Sequence, residues 1–149
     1  MPKGLVRYQQ TGDPHSMERP RMAQPTITGI SPFFIVRHVP TALSFYSEKL
    51  GFTIIHQQPD RKPFFGIVQR DGAIIFVKAV GVEPLPNYTR NPDARWDAYA
   101  SVPDPDALAA EFTSRGVTFS KPLQDTHDGL RGFELEDPDG HILFFGRPR

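Results

Sequence analysis

A chain that writes one short pattern twice has fewer folds open to it than its length alone allows. Residues 69–79 read QRDGAIIFVKA and residues 134–149 read ELEDPDGHILFFGRPR. In each, an Asp-Gly pair (Asp71-Gly72, Asp139-Gly140) launches a short apolar strand, with a phenylalanine four residues past the glycine, Phe76 and Phe144. Asp-Gly between apolar runs is a strong hairpin signal, because both residues tolerate the backbone angles that tight turns demand. The surroundings repeat too: PTAL at 40–43 matches PDAL at 105–108, and Gly51 matches Gly116, at offsets of 65 to 68 residues. A unit written twice is one that does not close its own core and packs against a copy of itself.

The hydrophobic period changes in the same order in both halves. ITGISPFFIVR (27–37) is rich in β-branched and aromatic residues and predicts a strand. In VPTALSFYSEKLG (39–51), Ala42, Leu43, Phe45, Tyr46 and Leu50 share a helical face, with Pro40 at its first turn and Gly51 at its stop. FTIIHQ, FFGIVQR and AIIFVKAV then read as three strands. The second half runs from WDAYASV through a helix capped by Asp104 and closed past Gly116, then VTFS, LRGFELED and HILFFG. The expected organisation is β-α-β-β-β over 27–80, a proline-rich linker over 81–95, and β-α-β-β-β over 96–149. The fold class is α+β, two curled sheets forming a cup with their helices outside. Residues 1–26, polar and with four prolines, predict a flexible tail, with a partner-binding arm as the alternative.

Composition removes several kinds of function. Without cysteine there is no disulfide, thiolate metal site or cysteine nucleophile, and a reducing cytoplasm suits the chain. Seventeen basic residues balance seventeen acidic ones, so no long-range field favours nucleic acid or anionic lipid. No apolar run approaches the ~20 residues of a membrane helix, and the N-terminus lacks the apolar stretch of a signal peptide.

Three stretches, V-x-x-V-P-T-A-L-x-F-Y (36–46), V-P-D-P-D-A-L (102–108) and D-P-D-G-H-I-L-F-F-G (137–146), resemble the vicinal oxygen chelate superfamily. That superfamily groups glyoxalase I, extradiol dioxygenases, and the fosfomycin- and bleomycin-resistance proteins. The resemblance spans roughly residues 27–146 and implies paired modules forming a cup, usually completed in a homodimer. In metal-using members it also implies four ligands, whose places here fall at Ser31, Phe76, Asp97 and Phe144. Imidazole and carboxylate suit the ions such sites take, and of these four only Asp97 can ligate well. Neighbouring residues offer no substitute, since Ile75, Val77, Leu143 and Phe145 carry no donor. The expectation is therefore no metal, no cofactor and a chain close to the bleomycin-resistance branch.

Strand alternation sends Ser31, Phe33, Ile35, Ile74 and Phe76 to the cup from the first half. Asp97, Tyr99, Ser101, Ile142 and Phe144 follow from the second, while Trp96 points toward the helix at 105–115. Such a lining suits a small organic ligand that stacks on Phe33, Phe76, Tyr99 or Phe144. Inward aromatics also serve as plain core. A buried Asp97 needs a partner, and Arg95, Arg131, solvent or a basic group on a ligand would each supply one. The loop DTHDGLRG (125–132) clusters Asp125, His127, Asp128 and Arg131 at the rim. Gly129 and Arg131 resemble a small-x-Arg feature of many superfamily members, which implies a structural or anion-facing Arg131; Asp125 with His127 is a candidate acid-base pair, with a solvated turn as the alternative. His38 reads as a helix cap. The expected function is small-molecule binding, with antibiotic or metabolite sequestration as its purpose. The alternative is a metal-dependent lyase, isomerase or dioxygenase whose metal is held by other residues, for instance Asp97, Asp125 and His127 together.

Overall fold

One short parallel ladder ties each half of the chain together. In a computed structural model, which describes residues 24–149, β1 (Phe33–Ile35) pairs parallel with β4 (Ala73–Lys78), setting Phe33 beside Phe76. β4 also pairs antiparallel with β3 (Phe65–Arg70), which pairs with β2 (Thr53–Gln58), giving the order β1-β4-β3-β2. The second sheet repeats the plan. β5 (Ala98–Ser101) lies parallel to β8 (Ile142–Pro148), with Tyr99 beside Phe144, followed by β7 (Leu130–Glu136) and β6 (Phe119–Asp125). The fold is α+β, two four-stranded mixed sheets. The tail expected over residues 1–26 falls almost wholly outside the described residues.

Each sheet is crossed by a helix that the sequence starts and stops. α1 (Val39–Ser44) opens at His38, whose Nδ1 accepts from the Thr41 amide at 3.3 Å, and continues as a single wider π turn over Phe45–Lys49. A four-residue helix, α2 (Asn87–Arg90), interrupts the linker. α3 (Pro105–Ser114) opens at Asp104, which accepts from the Ala107 amide at 3.0 Å. Proline in the first turn of α1 and α3 costs nothing, since that amide has no helical partner. Gly51 and Gly116 end these segments at φ +72° and +82°, where a Cβ would be strained.

Several boundaries differ from those read in the sequence. β1 spans only three residues, because Pro32 has no amide to donate and the chain before it runs outside the sheet. β5 starts at Ala98, not Trp96. β6 continues through residues expected to be loop, and tolerates Pro122 because it is an edge strand.

The helix-covered faces of both sheets drain into one apolar core. Phe34, Val36, Val68, Ile75 and Val77 line it from the first sheet, and Phe133, Leu135, Leu143 and Phe145 from the second. Polar contacts close the junction. The buried Tyr46 hydroxyl donates to Asp137 Oδ2 at 2.8 Å, and His141 stacks on Phe34 with ring centroids 4.2 Å apart. Arg70 reaches from β3 to grip both carboxylate oxygens of Glu111 on α3, each at 2.8 Å. The Arg70 hydrogen bonds, then those from Arg115, outweigh partial burial and hold the Glu111 carboxyl down to about 2 from an ordinary 4.5.

A depressed carboxyl stabilises the fold above its unfolded value, and the benefit is lost as pH falls through the folded one. The wild-type chain should therefore lose stability between about pH 4.5 and 2, by about 1 kcal/mol more than Glu111→Gln once solvent screening of this half-buried pair is allowed for. Denaturant midpoints of both proteins across that window check this. Parallel curves would show that the Arg70–Glu111 grip adds nothing.

Candidate functional site

The faces turned away from the core carry two sets of aromatic rings. On the first sheet Phe33 stacks on Phe76 at 5.7 Å, and Phe65 leans on both, at 6.2 and 6.0 Å. His56 meets Phe65 edge-on at 5.8 Å. Phe33 is 57% exposed, a large apolar surface to leave wet. On the second sheet Phe144 is the floor. Trp96 stacks on it at 4.3 Å with 22° between the planes, and Tyr99 lies beside it at 5.5 Å. Among the described residues no ring of one set pairs with a ring of the other.

Two glycines let Phe144 lie flat. Gly132 on β7 pairs with Gly146 on β8. A Cβ on either would come within 2.5 or 2.6 Å of the Phe144 ring. The space that side chains would fill holds the phenyl ring instead, and above it opens a cleft of about 720 Å³. Its walls come from the linker (Asp93, Arg95), from Trp96 just after it, and from β6 and the loop that follows (Lys121, Gln124, His127). That size falls within the range of small-molecule pockets.

Two members of this site escape a reading based on alternation. Trp96 was expected to face the helix at 105–115, but it precedes β5, so the two-residue period does not reach it. Its indole is placed by a hydrogen bond from Nε1 to Glu134 Oε2 at 2.6 Å. Glu134, on β7 opposite Phe144, is 2% exposed; its other oxygen accepts from Arg95 Nε at 2.8 Å. Arg95 in turn lies over the Tyr88 ring of α2 at 4.5 Å. Counting the ladder outward from the Asp139-Gly140 turn would have put Glu134 beside Phe144.

The other candidates take definite places. Ser31 sits half-buried just before β1, where the following Pro32 carbonyl accepts from the Phe76 amide at 3.0 Å. Asp97 pairs with neither Arg95 nor Arg131. Its oxygens accept from the backbone amides of Asn87 and Ile142, each at 2.9 Å, fastening the linker to β8. Arg131 shares its face of β7 with the core residue Phe133 and turns from the rings. It forms ion pairs with Asp106 of α3 and Asp125, at 2.8 and 3.1 Å. Asp125 is thus engaged by Arg131 and not by His127. His127 does line the cleft.

The geometry has relatives. The profile of the glyoxalase/bleomycin resistance protein/dioxygenase superfamily matches residues 29–145. The chain belongs to that superfamily. Among solved structures of the superfamily's fold, TioX from Micromonospora sp. ML1 is 21% identical at a TM-score of 0.64, covering 81% of this chain and 99% of its own. The bleomycin-binding protein from bleomycin-producing Streptomyces verticillus, complexed with copper(II)-bleomycin, is 24% identical at 0.62, covering 85% and 100%. TnmS3, an antibiotic binding protein from Streptomyces sp. CB03234, is 25% identical at 0.57, again covering 85% and 100%. No protein of curated function matches the sequence.

The superfamily's metal places do not suit an ion in this chain. Phe76 and Phe144 have no donor atom, and both Asp97 oxygens already accept backbone hydrogen bonds. Among the described residues, no three His, Asp or Glu side chains gather as a ligand set, so Asp97, Asp125 and His127 do not come together. Nor is any described helix long and apolar enough to cross a membrane.

Proposed function

We propose that this chain binds a small organic molecule by stacking it against the aromatic cleft, without a metal, and that two copies complete the cup. The carrying observation is the Trp96–Phe144 stack in the lining of a 720 Å³ cleft, with Tyr99 beside Phe144. Flat ligands gain from such faces about 0.5–1.5 kcal/mol per ring pair beyond burial. Likeness to bleomycin- and antibiotic-binding proteins supports sequestration of an antibiotic or metabolite as the purpose. The separation of the two ring sets supports a homodimer, in which the exposed Phe33 face of one copy would meet the Trp96 face of another. The cysteine-free composition suits work in the cytoplasm.

In this reading the protein does no chemistry; it lowers the free concentration of its ligand by mass action. Trp96, the sole tryptophan, reports directly. Titration with acridine or copper-free bleomycin in the presence of EDTA should quench its fluorescence saturably, with Kd about micromolar. Zinc, nickel, manganese or iron(II) alone should leave the melting temperature unchanged. Stoichiometric metal on the purified protein, or a shift of several degrees with metal alone, would overturn the reading.

A further inference from the structure

The contact between Glu134 and Trp96 deepens that reading, and rests on it, by pointing to the kind of ring the cleft prefers. A glutamate in the middle of a sheet, 2% exposed, is costly to bury unless its partners are good. Here one oxygen takes the Arg95 guanidinium and the other the indole N–H, at 2.8 and 2.6 Å. Ser120 Oγ adds a longer contact at 3.4 Å. The indole is thus fixed in the plane that Phe144 needs for stacking. Its one polar atom is used up against the protein, leaving only a π face for a ligand. Phe144 covers one side of that indole, and Trp96 itself lines the cleft.

Donation to a carboxylate also changes the ring. A charge-assisted hydrogen bond is short and strongly polarised, and it pushes electron density from the N–H into the π system. Indole already has the most negative face of the protein aromatics toward a cation. The free charges on the walls act in the same sense. Arg95 is paired with Glu134, and Asp125 shares Arg131 with Asp106; among the described lining residues that form no ion pair with another described residue, Asp93 and Asp128 outnumber Lys121.

We propose that Glu134 is a positioning residue that turns Trp96 into an electron-rich stacking face, so that the cleft selects flat rings carrying positive charge within the ring. Three probes of similar size separate the causes: N-methylacridinium, neutral acridine, and 9-anthracenylmethylammonium, whose charge lies outside its ring. Calorimetry on the full chain should give N-methylacridinium about tenfold tighter binding than either of the others. Glu134→Gln, which keeps an acceptor for the indole but not its charge, should shrink that preference to within about threefold. Trp96→Phe keeps a ring on Phe144 and leaves Glu134 in place, and should shrink it as far. The double variant should then add nothing further.

Circular dichroism verifies that each variant is folded; should Glu134→Gln fail to fold, Glu134→Asp, which draws the carboxylate back from the indole, takes its place and should also shrink the preference. If the wild type binds all three probes equally, or the folded Glu134 variant or Trp96→Phe keeps the tenfold preference, the inference is wrong while stacking itself stands. If no probe binds the wild type, the proposed function falls and this inference with it.

Discussion

Asp137→Ala is expected to destabilise the chain by about 3–5 kcal/mol, a large share of the stability of a domain this size. Asp137 is buried at the junction of the two sheets, in the tight turn between β7 and β8. Its Oδ1 accepts from the amides of Asp139 and His141, each at 2.9 Å. Its Oδ2 accepts from the Tyr46 hydroxyl and contacts His141 Nδ1, each at 2.8 Å. Burial first, and the nearby Asp137 charge second, push the Tyr46 phenol well above its ordinary value, so it keeps the proton it donates. Alanine leaves all these groups dry and unpartnered, each costing about 1–3 kcal/mol less whatever water recovers. Tyr46→Phe removes one donor and leaves the turn intact, so it should cost only about 1–2 kcal/mol. Guanidinium midpoints decide. Equal, small losses in both variants would mean the turn repairs itself and the junction holds without this network.

Gly132→Ala should damage the site and the sheet together. A Cβ at this position would stand 2.3 Å from the Phe145 carbonyl oxygen, 2.5 Å from Phe144 Cζ and 2.9 Å from the Gly146 Cα. The ring can swing away, but the backbone of β8 cannot move without opening the β7–β8 ladder. The expected cost is about 2–4 kcal/mol, from overpacking against main chain. Phe144 and the Trp96 above it should lose their stacking, visible as a shift in Trp96 emission and a weaker near-ultraviolet dichroism signal. Gly72→Ala serves as control: a Cβ there meets nothing within 4 Å, and the cost should stay below about 1 kcal/mol. Unaltered Trp96 spectra in Gly132→Ala would show that Phe144 does not depend on the glycine cradle.

These two sites also mark how far the sequence could be read. Features set within a few residues were legible: the Asp-Gly turns, the caps at His38 and Asp104, and the helix stops at Gly51 and Gly116. Alternation within strands was legible too, and it sorted Phe33, Phe76, Tyr99 and Phe144 from the core-facing Phe34, Val77, Ala98 and Phe145. What escaped was set by distant partners. Trp96 lies outside any strand and is placed by Glu134, 38 residues away. Asp97 invited an arginine, yet two backbone amides satisfy it, and amides leave no trace in residue type. Arg131 was legible in principle, because it alternates with Gly132 and so shares the helix-side face with Phe133. The clustering of charges around it in the loop was the more conspicuous signal, and the misleading one.

Crystals of the protein grown with acridine under chelator test most directly whether a flat organic molecule, and not a metal ion, occupies this site. The expected result is planar density parallel to the Trp96 indole, about 3.5–4 Å from its free face. An empty cleft, or a round anomalous peak beside Asp97 and Ser31, would contradict it.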